Sequence, residues 1–300
     1  MMTKQLCPRN AGNFSRPTLV GAAVLAVGLL FVASQASAAR VDIIDGQGFE
    51  APYTAGNLEG QLGSLLGDGV QAPWLASSGT TSAAVVQSSV AHGGGGQAVQ
   101  VDHAANEAAG AGRFGIPVTG WPDNSRYVCI EWDMYVNQTV GAPDTFGPFF
   151  GVEAYDDITV GPGDLGLLGS MGVDATTGDV LYQAAGTGVL TETGSVVDFD
   201  AWNHFHIDLD FELSQYTVIL NGAALATATF VDGASLQDFT DAPIASFAAA
   251  GDPASQALVG TAYIDNYEVY QPNIKIPEPT TMVLGLVALV SVSGARSRRR

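Results

Sequence analysis

The stretch Tyr127-Val128-Cys129-Ile130-Glu131-Trp132-Asp133-Met134-Tyr135-Val136 puts Val128, Ile130, Trp132, Met134 and Val136 on one side of an extended chain. Cys129, Glu131, Asp133 and Tyr135 fall on the other. Successive side chains of a pleated strand point to opposite faces, so a period of two with one apolar side is a half-buried β-strand. His204–Glu212 repeats the pattern. Phe205, Ile207, Leu209 and Phe211 point one way, and His204, His206, Asp208, Asp210 and Glu212 the other. No long stretch between residues 40 and 276 carries apolar residues at i, i+3, i+4 and i+7, so helices are not expected there.

Turn chemistry extends this reading in both directions. Leu213-Ser214-Gln215 separates the second strand from Tyr216–Leu220, and Asn221-Gly222 then reverses the chain into Ala223–Phe230, a strong hairpin signal. Asp174–Gly178 joins Leu167–Val173 to Val180–Gln183 in the same way. Further strands are expected at Val41–Ile44, Ala83–Val90, Ala98–Asp102, Phe149–Glu153 and Ala262–Tyr270. Residues 54–81 are Gly-rich and poorly patterned and read as an extended loop; Gly93–Gly96 reads as a turn. With 37 glycines in 300 residues, well above the usual roughly 7%, the expected fold is all-β. It is a jelly-roll β-sandwich over residues 40–272, large enough to bury a single sizeable core.

The formal net charge of −19 is unevenly spread. Residues 40–276 hold 29 of the 30 acidic residues but four of the 11 basic ones, a net charge of −25. A phosphate-bearing partner needs a basic surface, so nucleic-acid binding is excluded as a class. Of the basic residues, Lys4, Arg9 and Arg16 precede an apolar run from Leu19 to Val32, which leads into Ala36-Ser37-Ala38-Ala39. That layout predicts a signal peptide over 1–39, read by the Sec translocon and cut by signal peptidase after Ala38 or Ala39. At the other end, residues 273–279 form a linker containing Pro277-Glu278-Pro279. An apolar segment over 280–300 follows and closes with Arg296, Arg298, Arg299 and Arg300. As helix, Thr280 to Ala295 rises only about 24 Å against a hydrocarbon core about 30 Å thick. That shortness suits a transient anchor better than a permanent one.

Order, spacing and terminal position of these residues resemble the sorting signal of the PEP-CTERM proteins of Gram-negative bacteria. The resemblance implies an exosortase-type processing enzyme as partner, with Pro277, Glu278 and Pro279 as its recognition signal and the arginines holding the segment in the membrane. It implies transfer of the processed chain to the cell surface or beyond, in an organism that makes extracellular polysaccharide. A second resemblance lies in the exported middle. Trp202-Asn203-His204-Phe205-His206-Ile207-Asp208 leading to Tyr216–Gly222 looks like the hairpin segment of laminin-G-like and concanavalin-A-like jelly rolls. Gly48-Phe49-Glu50 near the start and Tyr263-Ile264-Asp265-Asn266-Tyr267-Glu268-Val269 near the end recur in such carbohydrate-binding modules. This likeness implies a structural Ca²⁺ where the opening and closing strands meet, carried by Glu50 and Asp265.

Glu131-Trp132-Asp133 is similar to the Glu-x-Asp-x-x-Glu strand of some concanavalin-A-like glycosidases, but Met134, Tyr135 and Val136 follow where a third carboxylate would stand. Glu131, Asp133 and Tyr135 therefore read as a solvated or ligand-facing strip and not as a catalytic pair. His204-x-His206-x-Asp208 shares one strand face, yet same-face positions lie about 7 Å apart, too far for all three to meet one Zn²⁺ ion. An exposed polar face is expected there. Hard oxygen donors abound, which favours Ca²⁺ as the metal. Cys129 is the one cysteine left after loss of Cys7 and reads as a small buried hydrophobe. His92 and His103 are isolated in sequence. Trp74, Trp121, Tyr127, Tyr135, Tyr155, Tyr182 and Tyr216 are candidate sugar platforms, most of them expected in the core. The functional expectation is a non-catalytic surface protein that binds carbohydrate or matrix, extracellular polysaccharide in particular. A glycoside hydrolase or polysaccharide lyase on the same fold, and a purely structural envelope protein, are the alternatives.

Overall fold

The computed structural model describes residues 40–65, 71–108, 111–118, 126–160, 165–186 and 189–272. The signal segment 1–39, Trp121, linker residues 273–279 with Pro277, Glu278 and Pro279, and the tail 280–300 with its arginines lie outside the described residues. Strands are numbered in chain order. One sheet contains β1 (Val41–Asp45), β2 (Gly56–Asn57), β3 (Leu62–Leu65), β4 (Gln71–Pro73), β6 (Ala83–Gln87) and β7 (Ala98–His103). It continues with β9 (Tyr127–Val136), β14 (Trp202–Asp210), β15 (Gln215–Leu220), β16 (Ala223–Thr229) and β18 (Gly260–Gln271). The other contains β5 (Leu75–Ala76), β8 (Arg113–Gly115), β10 (Phe149–Tyr155), β11 (Leu167–Asp174), β12 (Asp179–Gln183), β13 (Leu190–Val196) and β17 (Ile244–Phe247).

All the pairings are antiparallel. The larger sheet runs β16-β15-β14-β9-β18-β1-β3-β4, with β7 also on β18 and β6 and β2 beyond it; the smaller runs β13-β12-β11-β10-β17-β8-β5. The two pack into a sandwich around one apolar core. Trp132 and Phe205, opposite each other on β9 and β14, stack at 5.5 Å with an 11° interplanar angle, and both are fully buried. The sheets are in close contact where β11 meets β15. A Cβ on Gly169 would stand 2.7 Å from the Tyr216 ring, so only glycine leaves that ring its place. The Tyr216 hydroxyl is satisfied across the sandwich by Gln183 O at 2.5 Å.

The alternating strands form as the sequence predicts, β9 with the same bounds. At Asn221-Gly222 both φ angles are positive, 49° and 79°, the backbone of a tight two-residue hairpin. The second alternating strand stops at Asp210 and not at Glu212. Asp210 Oδ1 accepts hydrogen bonds from Glu212 N and Leu213 N, at 3.0 and 3.1 Å, and turns the chain there. Residues 54–81 contradict the loop expectation: β2, β3, β4 and β5 all lie within it. Strands of two to four residues are too short to display a period, and their pairing with β6, β1 and β8 decides them. Also unforeseen are β8, β13, β17 and a one-turn helix, Pro253–Gln256, capped by Asp252 Oδ1 on Ala254 N and Ser255 N.

Candidate functional site

Strands β14, β9 and β18 lie side by side in the larger sheet, and their register builds a set of aligned rows on its outer face. Trp202 is opposite Tyr135, which is opposite Tyr263. The next row is His204, Asp133 and Asp265; the next, His206, Glu131 and Glu268; the next, Asp208, Cys129 and Tyr270. A β-bulge in β18 makes this continuity possible. One extra residue between Asp265 and Glu268 shifts the alternation from odd to even positions, so Tyr263 and Asp265 before it share a face with Glu268 and Tyr270 after it. Asn266, at φ 49°, sits in the bulge and reaches across the face. Tyr267 turns inward, fully buried, and donates to Ala242 O at 2.5 Å.

The first row is aromatic. The ring of Tyr135 lies 5.7 Å from Trp202 and 5.7 Å from Tyr263, and all three rings are half-buried. His92, delivered by the turn after β6, closes the row at 5.5 Å from Trp202. The second row is a hydrogen-bonded chain. His204 Nδ1 and Asp133 Oδ1 are 2.9 Å apart, and Asn266 Nδ2 donates to Asp133 Oδ2 at 2.6 Å. Asp265 accepts from His92 N at 2.9 Å and from Asn266 N at 2.7 Å. Burial pushes the Asp265 carboxyl above its ordinary range, opposed by those two backbone donors.

In the third row Glu131 lies between two histidines, its oxygens 3.7 Å from His204 Nε2 and 3.5 Å from His206 Nδ1. It also accepts from the Tyr270 hydroxyl, whose own titration is pushed up by burial and by that bond. In the fourth row Cys129 Sγ donates to Asp208 Oδ1 at 3.0 Å, and His206 Nε2 lies 2.8 Å from the same oxygen. Burial resists ionisation of Asp208, but the bonds from His206 and Cys129 outweigh it and hold this carboxyl low. Burial, then Asp208, push the Cys129 thiol far up.

The structure therefore unites Glu131, Asp133 and Tyr135 on one face, with no third carboxylate completing a glycosidase strand. His204, His206 and Asp208 do not share one centre: His204 turns to Asp133, as the 7 Å spacing requires. The same spacing does not keep His206 and Asp208 apart, because their side chains lean together. Cys129 is buried as expected, yet on the outer face and hydrogen-bonded. His92 is the residue that sequence reading passed over; only the fold brings it to Asp265, Asn266 and Trp202. Of the candidate sugar platforms, Trp74, Tyr155 and Tyr216 are buried core residues, and Tyr135 stands in the aromatic row with Trp202 and Tyr263.

Asp265 and the stem of Glu50 both border Gly48, while the Glu50 carboxylate lies against Gly96 and Gln97. Gly48 has φ +61°, and a Cβ on it would lie 3.2 Å from Asn266 Oδ1, 3.3 Å from Asp265 Oδ1 and 3.9 Å from Glu50 Cγ. Gln97 N donates to Glu50 Oε1 at 2.6 Å. The oxygens beside Gly48 are those of Asp265 and Asn266, donors of the kind a hard cation takes. An ion there would share the Asp265 oxygens with His92 N and Asn266 N.

A cavity of about 690 Å³ lies at the smaller sheet and includes Arg113, Tyr155, Asp157 and Asp241 in its wall. Arg113 Nε bonds Glu153 Oε2 at 2.5 Å and the Tyr155 hydroxyl at 3.2 Å, and that hydroxyl donates to Glu153 at 2.9 Å. Asp241 has one shielded oxygen without a hydrogen-bond partner. Burial, then the charges of Asp157 and Glu153, push it up to about 7. A signal for this group existed in the sequence: Glu153 is an acid inside a wholly apolar strand, and Arg113 is one of few cations.

No family model and no curated protein matches the chain. Among solved structures it is similar to a sialidase, at TM-score 0.44 and 8% identity, covering 67% of this chain and 17% of that one. The cellulose-induced protein Cip1 is similar at 0.46 and 16% identity, covering 66% of this chain and 90% of that one. An endo-β-1,4-glucuronan lyase from the fungus Trichoderma reesei is similar at 0.43 and 8% identity, covering 63% and 87%. Likenesses of this weakness assign neither a family nor an activity.

Proposed function

We propose that this is an exported, non-catalytic β-sandwich of the concanavalin-A-like jelly-roll type that binds polysaccharide through the outer face of its larger sheet. One observation carries the reading: Trp202, Tyr135 and Tyr263 stand half-buried and in register on the outer face of the larger sheet, directly beside rows of carboxylate, imidazole and amide groups. Aromatic rings stack against the C–H faces of a sugar, and the neighbouring polar groups pair with its hydroxyls. The charge of −25 over residues 40–276 favours a neutral polymer, or an acidic one bridged by divalent cations. In affinity electrophoresis through gels containing a neutral β-glucan or a polyuronate with Ca²⁺, the protein is retarded by at least one polymer. No retardation by any of them would remove the reading.

The export and sorting steps belong to the same proposal. Cleavage after Ala38 or Ala39, and loss of the tail at Pro277-Glu278-Pro279 by an exosortase-type enzyme, place the sandwich at the cell surface or outside. Mass spectrometry of surface and medium fractions tests this, and the uncut chain in the cytosol would contradict it. A structural Ca²⁺ at Glu50 and Asp265 is likewise proposed. Added Ca²⁺ then raises Tm, and Glu50→Gln abolishes the increment.

A second reading rests on the cavity at the smaller sheet. Asp241, pushed up to about 7 beside the Arg113–Glu153 pair, can donate a proton near neutral pH, and a carboxyl raised in this way is how glycosidases hold a general acid. Reducing ends or unsaturated ends released from a polymer panel, and lost in Asp241→Asn, would favour this enzyme over the binder.

A further inference from the structure

We propose that Cys129, His206 and Asp208 form a binding site for a zinc-class divalent cation. Their donor atoms all lie within 4.8 Å of one another. The register explains why. Asp208 is directly opposite Cys129 across the β14–β9 pair, and His206 is the next outward residue on β14. The site thus takes two donors from one strand and one from its neighbour. This is how a sheet gathers ligands that one strand's spacing holds apart.

Three observations mark the cluster as more than a polar patch. First, His206 Nε2 is shielded from solvent and lies 2.8 Å from Asp208 Oδ1, the oxygen that also faces the Cys129 sulfur. Second, the other ring nitrogen, Nδ1, faces Glu131 Oε1 at 3.5 Å, and Glu131 is itself held by Tyr270. Metal-bound histidines characteristically turn their second nitrogen to a carboxylate, which fixes the tautomer and raises the donor strength of the first. Third, the donor set is thiol, imidazole and carboxylate, which suits Zn²⁺ and is wrong for Ca²⁺ or Mg²⁺.

Donors bound tetrahedrally at about 2.0–2.3 Å from Zn²⁺ stand about 3.4–3.7 Å apart. Sγ and Nε2 are now 3.0 and 2.8 Å from Asp208 Oδ1, so the ion needs them to part by about half an ångström. The side chain of Asp208 is 42% exposed and those of His206 and Glu131 are far less so, which leaves entry from solvent on the Asp208 side. Three protein ligands leave one position for water or a sugar oxygen. Binding displaces the thiol proton that Cys129 now gives to Asp208, so one proton is released and affinity rises with pH. The site does not depend on the carbohydrate reading.

The test uses the full-length chain in detergent, stripped with chelator, carrying Cys7→Ser so that Cys129 is the one thiol. Titration with Co²⁺ is expected to give a thiolate-to-cobalt charge-transfer band that saturates at one equivalent and is bleached by Zn²⁺. Zn²⁺ should slow alkylation of Cys129 at least tenfold, and His206→Gln and Asp208→Asn should each weaken Zn²⁺ binding at least tenfold. Absence of the band together with unchanged alkylation under saturating Zn²⁺ would overturn the proposal. So would Zn²⁺ binding that survives Cys129→Ser undiminished. The spectroscopic and alkylation measurements need no change at the three residues, so a variant that fails to fold does not blunt them.

Discussion

Replacing Asp241 by Asn gives a pH-dependent change in stability whose sign and size follow from the structure. The carboxyl is pushed from an ordinary value near 3.8 to about 7, by burial first and then by Asp157 and Glu153. Between those values the unfolded chain has given up the proton and the folded chain keeps it. The unfolded state then binds fewer protons, and stability falls as pH rises through this window. Each unit is worth about 1.36 kcal/mol, so about three units set a ceiling of about 4 kcal/mol. The penalty is absent below pH 4 and complete above about pH 7. Asn removes the charge. Urea unfolding at pH 5, 6, 7 and 8, followed by tryptophan fluorescence, should show the variant gaining on the parent by about 2–4 kcal/mol across the series. Taking the difference cancels other titrations in this range, His103 among them, which burial pushes the opposite way. A difference that does not vary with pH, or that shrinks as pH rises, would refute the reasoning.

Other substitutions test the packing and the loop ties. Gly169→Ala drives a methyl to 2.7 Å from the Tyr216 ring and should cost about 1–3 kcal/mol, read as a lowered Tm, whereas Gly186→Ala, with open space around it, should cost about 1–2 kcal/mol, all of it from its φ of +70°. Asp156 is fully buried and accepts from Ile158 N, Thr159 N, Gln237 N and Asp238 N. Asp156→Ala strands these donors and should cost about 3 kcal/mol or more, measured by urea unfolding. Phe205→Ala removes the partner of Trp132 and should cost about 3–5 kcal/mol, with a shift in tryptophan fluorescence that reports the broken stack.

What could be read from the sequence tracks how each feature is encoded. The alternation of residues 127–136 spans ten positions, and its strand bounds match the structure. The Asn221-Gly222 hairpin is local chemistry and is equally plain. Strands such as Gly56–Asn57 and Leu75–Ala76 carry no period, and their hydrogen bonds come from partners tens of residues away, so they read as loop. The site was half legible for the same reason. Glu131, Asp133 and Tyr135 share a face by strand geometry alone. That Tyr263 aligns with Tyr135 depends on the β9–β18 register, and that Glu268 and Tyr270 join the same face depends on one bulge at Asn266. The reach of His92 to Trp202 depends on where β6 and β7 dock. Cys129 beside His206 and Asp208 is a cross-strand neighbourhood that no spacing within either strand displays.

The aromatic row is the claim on which the functional account turns. Its most direct test is affinity electrophoresis of the parent and of Trp202→Ala and Tyr135→Ala, run beside a polymer-free gel, with circular dichroism confirming that each variant keeps the β-sheet spectrum. Loss of one stacking ring is expected to weaken polymer binding at least tenfold in both variants, with mobility in the polymer-free gel unchanged. Retardation of both variants equal to that of the parent would contradict the account, because the polymer would then be held by some other surface.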